Sequence, residues 1–185
     1  MNPEVYKAEV EDLRRLAKDT LLVMLYGESQ IGRSISAYDK KDNTFNKEKF
    51  KKLVLEETRR LGDMVDNKTL TNKAIRDAIL DLSEKGGVTI GHAQKILNVY
   101  LKYYSLLTGS PPEIISELDC PLDGIIMNHK ERIMNIQTFE KYLKYQDRFE
   151  KNGIRLIEDK KYDEQKISNF ISDKIGKNRN VNGRL

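Results

Sequence analysis

The chain has 185 residues, with 33 lysines and arginines against 29 aspartates and glutamates, and a formal net charge of +4. This length fits one domain that can bury a core of its own, and the balanced charge argues against wholesale disorder. A single cysteine, Cys120, excludes a disulfide framework and a multi-cysteine zinc site, and the presence of only two histidines excludes a histidine-rich metal centre. We therefore expect neither a metal nor a cofactor.

Hydropathy and charge together predict a cytoplasmic protein with no membrane partner. No apolar run approaches the roughly 18 residues that a transmembrane helix needs, and the first residues lack the basic-then-apolar pattern of a signal peptide. Residues 1–173 are neutral overall, whereas residues 174–185 contain four basic residues and no acid. We predict a single domain over 1–173 and a basic, polar tail over 174–185, whose role is either solubility or weak nucleic-acid binding.

The first part of the chain shows apolar residues at helical spacing. This periodicity predicts helices over residues 4–26, 46–62, 72–85 and 90–107, which end where Gly27, Gly62 and the pair Gly86–Gly87 interrupt it. The stretch 27–44 is rich in Gly, Ser, Asp and Lys and is typical of a long loop. Thr89 is the expected N-cap of the helix over 90–107, which is the most apolar of the four.

The second part of the chain predicts shorter helices. A turn over 108–113 precedes a brief helical turn, and further helices are expected over 121–135, over 137–151 and around 167–175. The segment 154–159 fits either a short strand or the start of a helix. The expected fold is therefore all-α, a single globular domain of about seven helices with a central helix near 90–107.

The helix over 90–107 carries a stripe of polar residues. His92, Lys95, Asn98 and Lys102 follow one another at intervals of one helical turn, and Gln94 flanks them one turn before Asn98. Such a stripe is either the solvent face of an amphipathic helix or the lining of a polar cleft. Because the stripe contains no acid, a cleft of this kind would suit anionic ligands such as phosphates.

A second notable segment is ELDCPLDGIIM, residues 117–127. Pro121 is expected to open a helix and so to place Asp123 in its first turn, where unpaired N–H groups and the helix dipole favour a carboxylate. Asp123 is then either a simple cap or a catalytic carboxylate that is held ionised and directed into a cleft. Cys120, just before the proline, is expected to be a buried structural thiol.

The helix–GGVTIGHA–helix hairpin and the Pro-Leu-Asp sequence together resemble the helix-hairpin-helix DNA glycosylases and their relatives. Gly87 and Val88 match the turn of the family's hairpin, and Ala93 matches its packing alanine. Asp123 matches the catalytic aspartate of the family. Thr89 stands where the second hairpin glycine occurs, and the family lysine falls one turn before Lys95.

The resemblance implies an all-α enzyme that flips a base out of a nucleic acid and cleaves its N-glycosidic bond. The partner is then DNA or another nucleic acid. Asp123 is expected either to stabilise positive charge on the sugar or to activate the attacking nucleophile, and Lys95 is the expected nucleophile. The residues expected to bind phosphate, read a base edge or stack on a base are Gly87, Val88, Thr89, His92, Gln94, Asn98, Lys102 and Tyr103.

Two other functions remain open from the sequence. The chain could be a non-catalytic helical module, encoded by a bacterium or a phage, that binds a protein partner through the polar stripe. It could also be a small enzyme that acts on a nucleotide. Burial separates these readings: an approach of Lys95 and Asp123 to within about 6 Å in a pocket favours catalysis, and a solvent-exposed Lys95 favours the interaction module.

Overall fold

Helices account for most of the chain in the computed structural model, which describes residues 3–28, 45–124, 126–127, 131–150, 155–160 and 163–168. The α-helices are α1 (Pro3–Glu28), α2 (Lys47–Asp66), α3 (Asn72–Gly86), α4 (Ile90–Leu107), α5 (Pro112–Glu117) and α6 (Phe139–Glu150). Two 3₁₀ helices cover Ile133–Asn135 and Arg155–Asp159, and residues 163–168 are again helical. No strand occurs within these ranges, so the all-α prediction is confirmed.

Helix α4 lies at the centre of the fold, as its apolar composition predicts. It contacts α1, α2, α3, α5, α6 and the 3₁₀ helix Ile133–Asn135. Its side chains Ala93, Leu97 and Tyr100 are almost completely buried. The residues of α2 and α3 that complete this core recur at helical spacing and include Phe50, Leu61, Ile75, Ile79 and Leu82.

Local caps define where α3 ends and α4 begins. Gly87 closes α3 in the left-handed conformation, with φ of 66°, which glycine adopts without steric cost. The Thr89 hydroxyl accepts a hydrogen bond from the His92 backbone N–H and caps α4. The predicted break at Gly86–Gly87 and the predicted cap at Thr89 are both confirmed.

The prediction that Gly62 ends the second helix is wrong, because α2 continues through it to Asp66. Gly62 is buried where α2 meets α4, and a Cβ there would lie 3.1 Å from the Tyr100 hydroxyl oxygen. The glycine therefore allows two helices to pack closely, and it does not end the helix.

The helix predicted over 121–135 is also wrong. In the described part of this stretch, residues 121–123 have no regular secondary structure, turn residues follow, and the only helical piece is the 3₁₀ helix Ile133–Asn135. Side-chain amides from α4 and α6 occupy the backbone groups of Cys120 and Leu122, which holds this segment out of a helix. The sequence left open whether 154–159 is a short strand or the start of a helix. Its described residues form the 3₁₀ helix Arg155–Asp159.

Some sequence predictions fall outside the described residues. They concern nearly all of the loop 27–44, the end of the last helix and the tail 174–185. None of the described helices combines the length and the apolarity that crossing a membrane requires.

Gly91 lies against the backbone of the segment 133–136, where a side chain has no room. Its N–H donates a hydrogen bond of 2.9 Å to the Ile136 carbonyl, and a Cβ at this position would lie only 1.8 Å from the Ile133 carbonyl oxygen. A side chain at Gly91 would therefore separate α4 from the segment 133–136.

We predict that Gly91→Ala lowers the free energy of unfolding by about 3 kcal/mol or more, because a backbone carbonyl cannot move aside as a flexible side chain can. Urea unfolding measures this loss. Gly109→Asn is the matched control, since a Cβ at Gly109 meets nothing within 4 Å and asparagine tolerates its φ of 68°. Equal stability of the Gly91→Ala protein and the wild type would show that this contact is not tight.

Candidate functional site

The polar stripe of α4 is buried. The exposed fractions of His92, Asn98 and Lys102 are 2%, 2% and 4%, and Gln94 is completely buried. The interpretation of the stripe as a solvent face is therefore wrong. We call this set of side chains, His92, Gln94, Lys95, Asn98 and Lys102, the polar seam.

The segment Leu118–Asp123 lies against the polar seam and is held by two glutamines. The Gln94 amide donates to the Leu122 carbonyl at 2.9 Å and accepts from the Leu122 N–H at 3.0 Å. Gln146 of α6 pairs in the same way with both backbone groups of Cys120, at 2.8 and 2.9 Å. Gln94 thus has a structural task in place of the predicted contact with a base edge.

Asp119 anchors the same segment through a buried ion cluster. Its carboxylate contacts the guanidinium groups of Arg76 and Arg155, each at 3.0 Å, and accepts from the Tyr142 hydroxyl at 2.6 Å. Arg155 also donates to the backbone carbonyls of Ser116, Glu117 and Leu118. A buried carboxylate with this many donors is satisfied, and it fixes the position of the residues that follow it.

The far end of the seam is another internal ion cluster. Lys102 donates to Asp159 and, at 2.7 Å, to Asp163, while the Tyr103 hydroxyl donates to Asp163 at 2.9 Å. Burial alone lowers the pKa of Lys102, but the two carboxylates outweigh burial and raise it. Lys102 and Tyr103, predicted to contact phosphate and to stack on a base, therefore hold Asp159 and Asp163 against α4.

We predict that Lys102→Met lowers the free energy of unfolding by about 3–5 kcal/mol, because it leaves the Asp159 carboxylate buried without its cation. The double variant Lys102→Met/Asp159→Leu should recover most of this loss. Lys73→Met is the control, since it breaks an exposed pair with Asp77 whose expected contribution is below about 1 kcal/mol. Urea unfolding measures the change in the free energy of unfolding for each variant. A loss in Lys102→Met as small as that of the control would contradict the burial of the pair.

Lys95 and Asp123 meet in the middle of the seam. The Lys95 Nζ lies 4.0 Å from the Asp123 Oδ2, and their side chains are only 13% and 10% exposed. The two residues are far apart in sequence, and the clamped segment Leu118–Asp123 brings them together. The two side chains thus approach each other within the expected 6 Å.

Lys95 differs from the other buried cations of the site. No acceptor within the described ranges lies at hydrogen-bonding distance from its ammonium group. Burial lowers the pKa of Lys95, the Asp123 charge opposes this, and Lys166 adds to the lowering. A buried amine with a lowered pKa is more easily deprotonated, and the neutral amine is the form that acts as a nucleophile.

Asp123 is oriented by a turn in place of the predicted helix. Its Oδ1 accepts a hydrogen bond of 3.0 Å from the Ile126 N–H, and its carbonyl accepts one of 3.0 Å from the Met127 N–H. One carboxylate oxygen is therefore fixed by the turn, while Oδ2 is the atom nearest to Lys95.

The turn between α3 and α4 uses its amides internally. The N–H groups of Gly87 and Val88 both donate to the Ser83 carbonyl, and the Ser83 hydroxyl donates to the Val88 carbonyl at 2.6 Å. Gly91, where the family lysine would fall, has no room for a side chain. Phosphate binding by Gly87, Val88 and Thr89 stays a prediction.

Asn98 keeps one atom without a partner. Its amide nitrogen donates to the Gln94 Oε1 at 3.2 Å and to the Tyr142 hydroxyl at 3.1 Å, whereas its Oδ1 has no hydrogen-bond partner within the described residues. Sequence periodicity found Asn98 but missed its neighbours Tyr142 and Gln146. These two lie at helical spacing with Phe149 on the buried face of α6, so a glutamine on an apolar face was the available signal.

His92 lies at the start of the seam as a neutral imidazole. Its Nδ1 is 2.8 Å from the Thr89 hydroxyl, and burial together with the Lys95 charge lowers its pKa to about 4. A neutral ring at pH 7 provides no positive charge for a phosphate.

We predict that His92 makes the fold sensitive to acid. Because its pKa is lower in the folded chain than in the unfolded chain, the unfolded state binds more protons between pH 6.5 and about 4, so stability falls as the pH falls through this window. The expected loss from this group between pH 7.5 and 4.5 is about 2–3 kcal/mol. Urea unfolding at both pH values should show this difference between wild type and His92→Gln, and parallel losses in the two proteins would contradict it.

Comparison with known proteins adds no family assignment. No family model, no curated protein and no solved structure matches the chain significantly. Within the described ranges, no group of three or more histidine, cysteine, aspartate or glutamate side chains is placed to hold a metal ion.

Proposed function

We propose that the protein is a nucleic-acid-acting enzyme of the helix-hairpin-helix glycosylase type, which cleaves the N-glycosidic bond of a flipped base. The observation that carries this proposal is the Lys95–Asp123 pair, with a Nζ–Oδ2 distance of 4.0 Å and little exposure of either side chain. The hairpin of α3 and α4 and the all-α fold are consistent with the resemblance in the sequence.

The lysine is the better candidate for the nucleophile because its burial serves no visible structural purpose. A buried charge is normally paired and hydrogen-bonded, as Lys102 is, since an unpaired one costs several kcal/mol. Lys95 has only a long contact to one carboxylate. Perturbed titratable groups of this kind concentrate at functional sites.

The proposed reaction uses each member of the pair once. The neutral Lys95 amine attacks C1′ of the sugar as the bond from C1′ to the base breaks. The base leaves with the electrons of that bond and takes up the proton that the attacking nitrogen releases. The nitrogen lone pair then breaks the C1′–O4′ bond, O4′ takes a proton from water, and Lys95 and C1′ remain joined as a protonated Schiff base. Asp123, beside the sugar, stabilises the positive charge that develops on it as the bond breaks.

We predict that borohydride traps the protein on DNA through Lys95. The substrates are duplexes that carry one abasic site or one oxidised, deaminated or alkylated base, because reduction of the Schiff base fixes a covalent adduct. Denaturing gels measure the adduct, which Lys95→Gln should abolish and Lys144→Gln, a change at an exposed lysine of α6, should retain. Asp123→Asn should lower base release by at least about 100-fold.

Stability provides an independent check on the same variant. Lys95→Gln removes a buried ammonium that has no hydrogen bond to any described residue, so it should unfold at the same urea concentration as the wild type or a higher one. A stable Lys95→Gln protein that still forms the adduct and releases base at the wild-type rate would refute the proposed role.

A further inference from the structure

The start of α2 carries a cluster of positive charge that the polar seam does not use. Four lysines and one glutamate fall in the first six residues of this helix, which gives a local charge of +3. Glu48 is occupied by Lys51 at 2.8 Å. No carboxylate of the described residues lies within 4.0 Å of Lys47, Lys49 or Lys52. We call Lys47, Lys49, Lys51 and Lys52 the lysine cluster.

This placement of charge opposes the stability of the helix. The N-terminal end of a helix carries a partial positive charge, so cations are favoured at its other end. Helix α2 has the reverse arrangement, since its last turn contains Asp63 and Asp66 and no basic residue. The lysine cluster is therefore not explained by folding.

The cluster is packed directly beside the turn between α3 and α4. A Cβ on Gly86 would lie 2.7 Å from the Phe50 ring, and one on Gly87 would lie 4.0 Å from the ring of Phe45. The two rings contact each other at a centroid distance of 5.9 Å. Phe45 and Phe50, which flank Lys47 and Lys49 in sequence, thus fix the start of α2 to the turn from which α4 begins.

The position of the turn relates the cluster to the Lys95–Asp123 pair. Lys95 lies six residues after Thr89, about 9 Å further along the axis of α4. The start of α4, from which this rise is counted, is the part of the helix that the start of α2 adjoins.

We infer that the lysine cluster is a docking surface for the sugar–phosphate backbone of duplex DNA. Lysine is depleted at protein–protein interfaces, whose centres are formed by apolar and aromatic anchors. No large apolar side chain of residues 45–52 is exposed, so the surface has no such anchor. DNA, in contrast, offers one negative charge about every 1.7 Å along its axis and is bound by lysines without an apolar centre. This inference rests on the proposed function for its choice of DNA.

The test is binding of the full chain to an undamaged, end-labelled duplex, followed by fluorescence anisotropy at several salt concentrations. Lys49→Gln/Lys52→Gln should weaken binding about tenfold near 0.15 M salt and reduce the slope of log K against log salt by about 2. The matched control is Lys68→Gln/Lys73→Gln. Lys68 follows the C-terminal end of α2 and Lys73 lies in the first turn of α3, whereas the lysine cluster lies at the other end of α2, whose 20 residues span about 30 Å. This control should keep the affinity and slope of the wild type.

The outcomes separate this inference from the proposed function. Equal effects of the two double variants, no duplex binding by the wild type at low salt, or equally tight cluster-dependent binding to polyglutamate would each overturn the docking surface. Cluster-dependent duplex binding without any borohydride adduct would support the surface and refute the catalytic proposal. An adduct that forms at the wild-type rate in Lys49→Gln/Lys52→Gln would show that DNA binds at another surface. That outcome would overturn the docking surface and would not contradict the catalytic proposal.

Discussion

The site depends on one constraint, which is that the segment Leu118–Asp123 must cross the polar face of α4 without regular secondary structure. Buried backbone groups need hydrogen-bond partners, and outside a helix or a sheet these must come from side chains. Gln146 satisfies both groups of Cys120, and Gln94 satisfies both groups of Leu122. Pro121, between them, has no N–H to satisfy. The sequence predicts that Pro121 opens a helix, but it lies within this irregular segment.

The polar seam separates charges that have a structural role from one that does not. Asp119 is bound by two arginines, and Lys102 is bound by two aspartates. Each of these clusters joins α4 or its neighbours to a segment far away in the sequence, and each is fully paired. Lys95, between them, has within the described residues only a contact of 4.0 Å to a carboxylate. A buried ammonium without a hydrogen bond adds little to stability, so its presence is better explained by chemistry than by packing.

Sequence periodicity was sufficient for the helices and insufficient for the site. The bounds of α4, its cap at Thr89 and the break at Gly87 follow from local chemistry, so the sequence could predict them. A polar stripe on a helix, however, has the same pattern whether water or another segment covers it. The covering residues, among them Asp119, Tyr142 and Arg155, come from distant parts of the chain and show no common spacing. Glycine was similarly ambiguous at Gly62, where it allows close helix packing within a continuous helix.

Two features of the molecule oppose its own stability. The lysine cluster puts positive charge at the unfavourable end of α2, and Lys95 is buried without a hydrogen bond to any described residue. Elsewhere the helices carry opposite charges one turn apart, as in the pairs Lys73–Asp77 and Asp81–Lys85. Phe50 packs the start of α2, with its lysine cluster, against the turn from which α4 begins. An anionic polymer bound at the lysine cluster would relieve the first of these two unfavourable features.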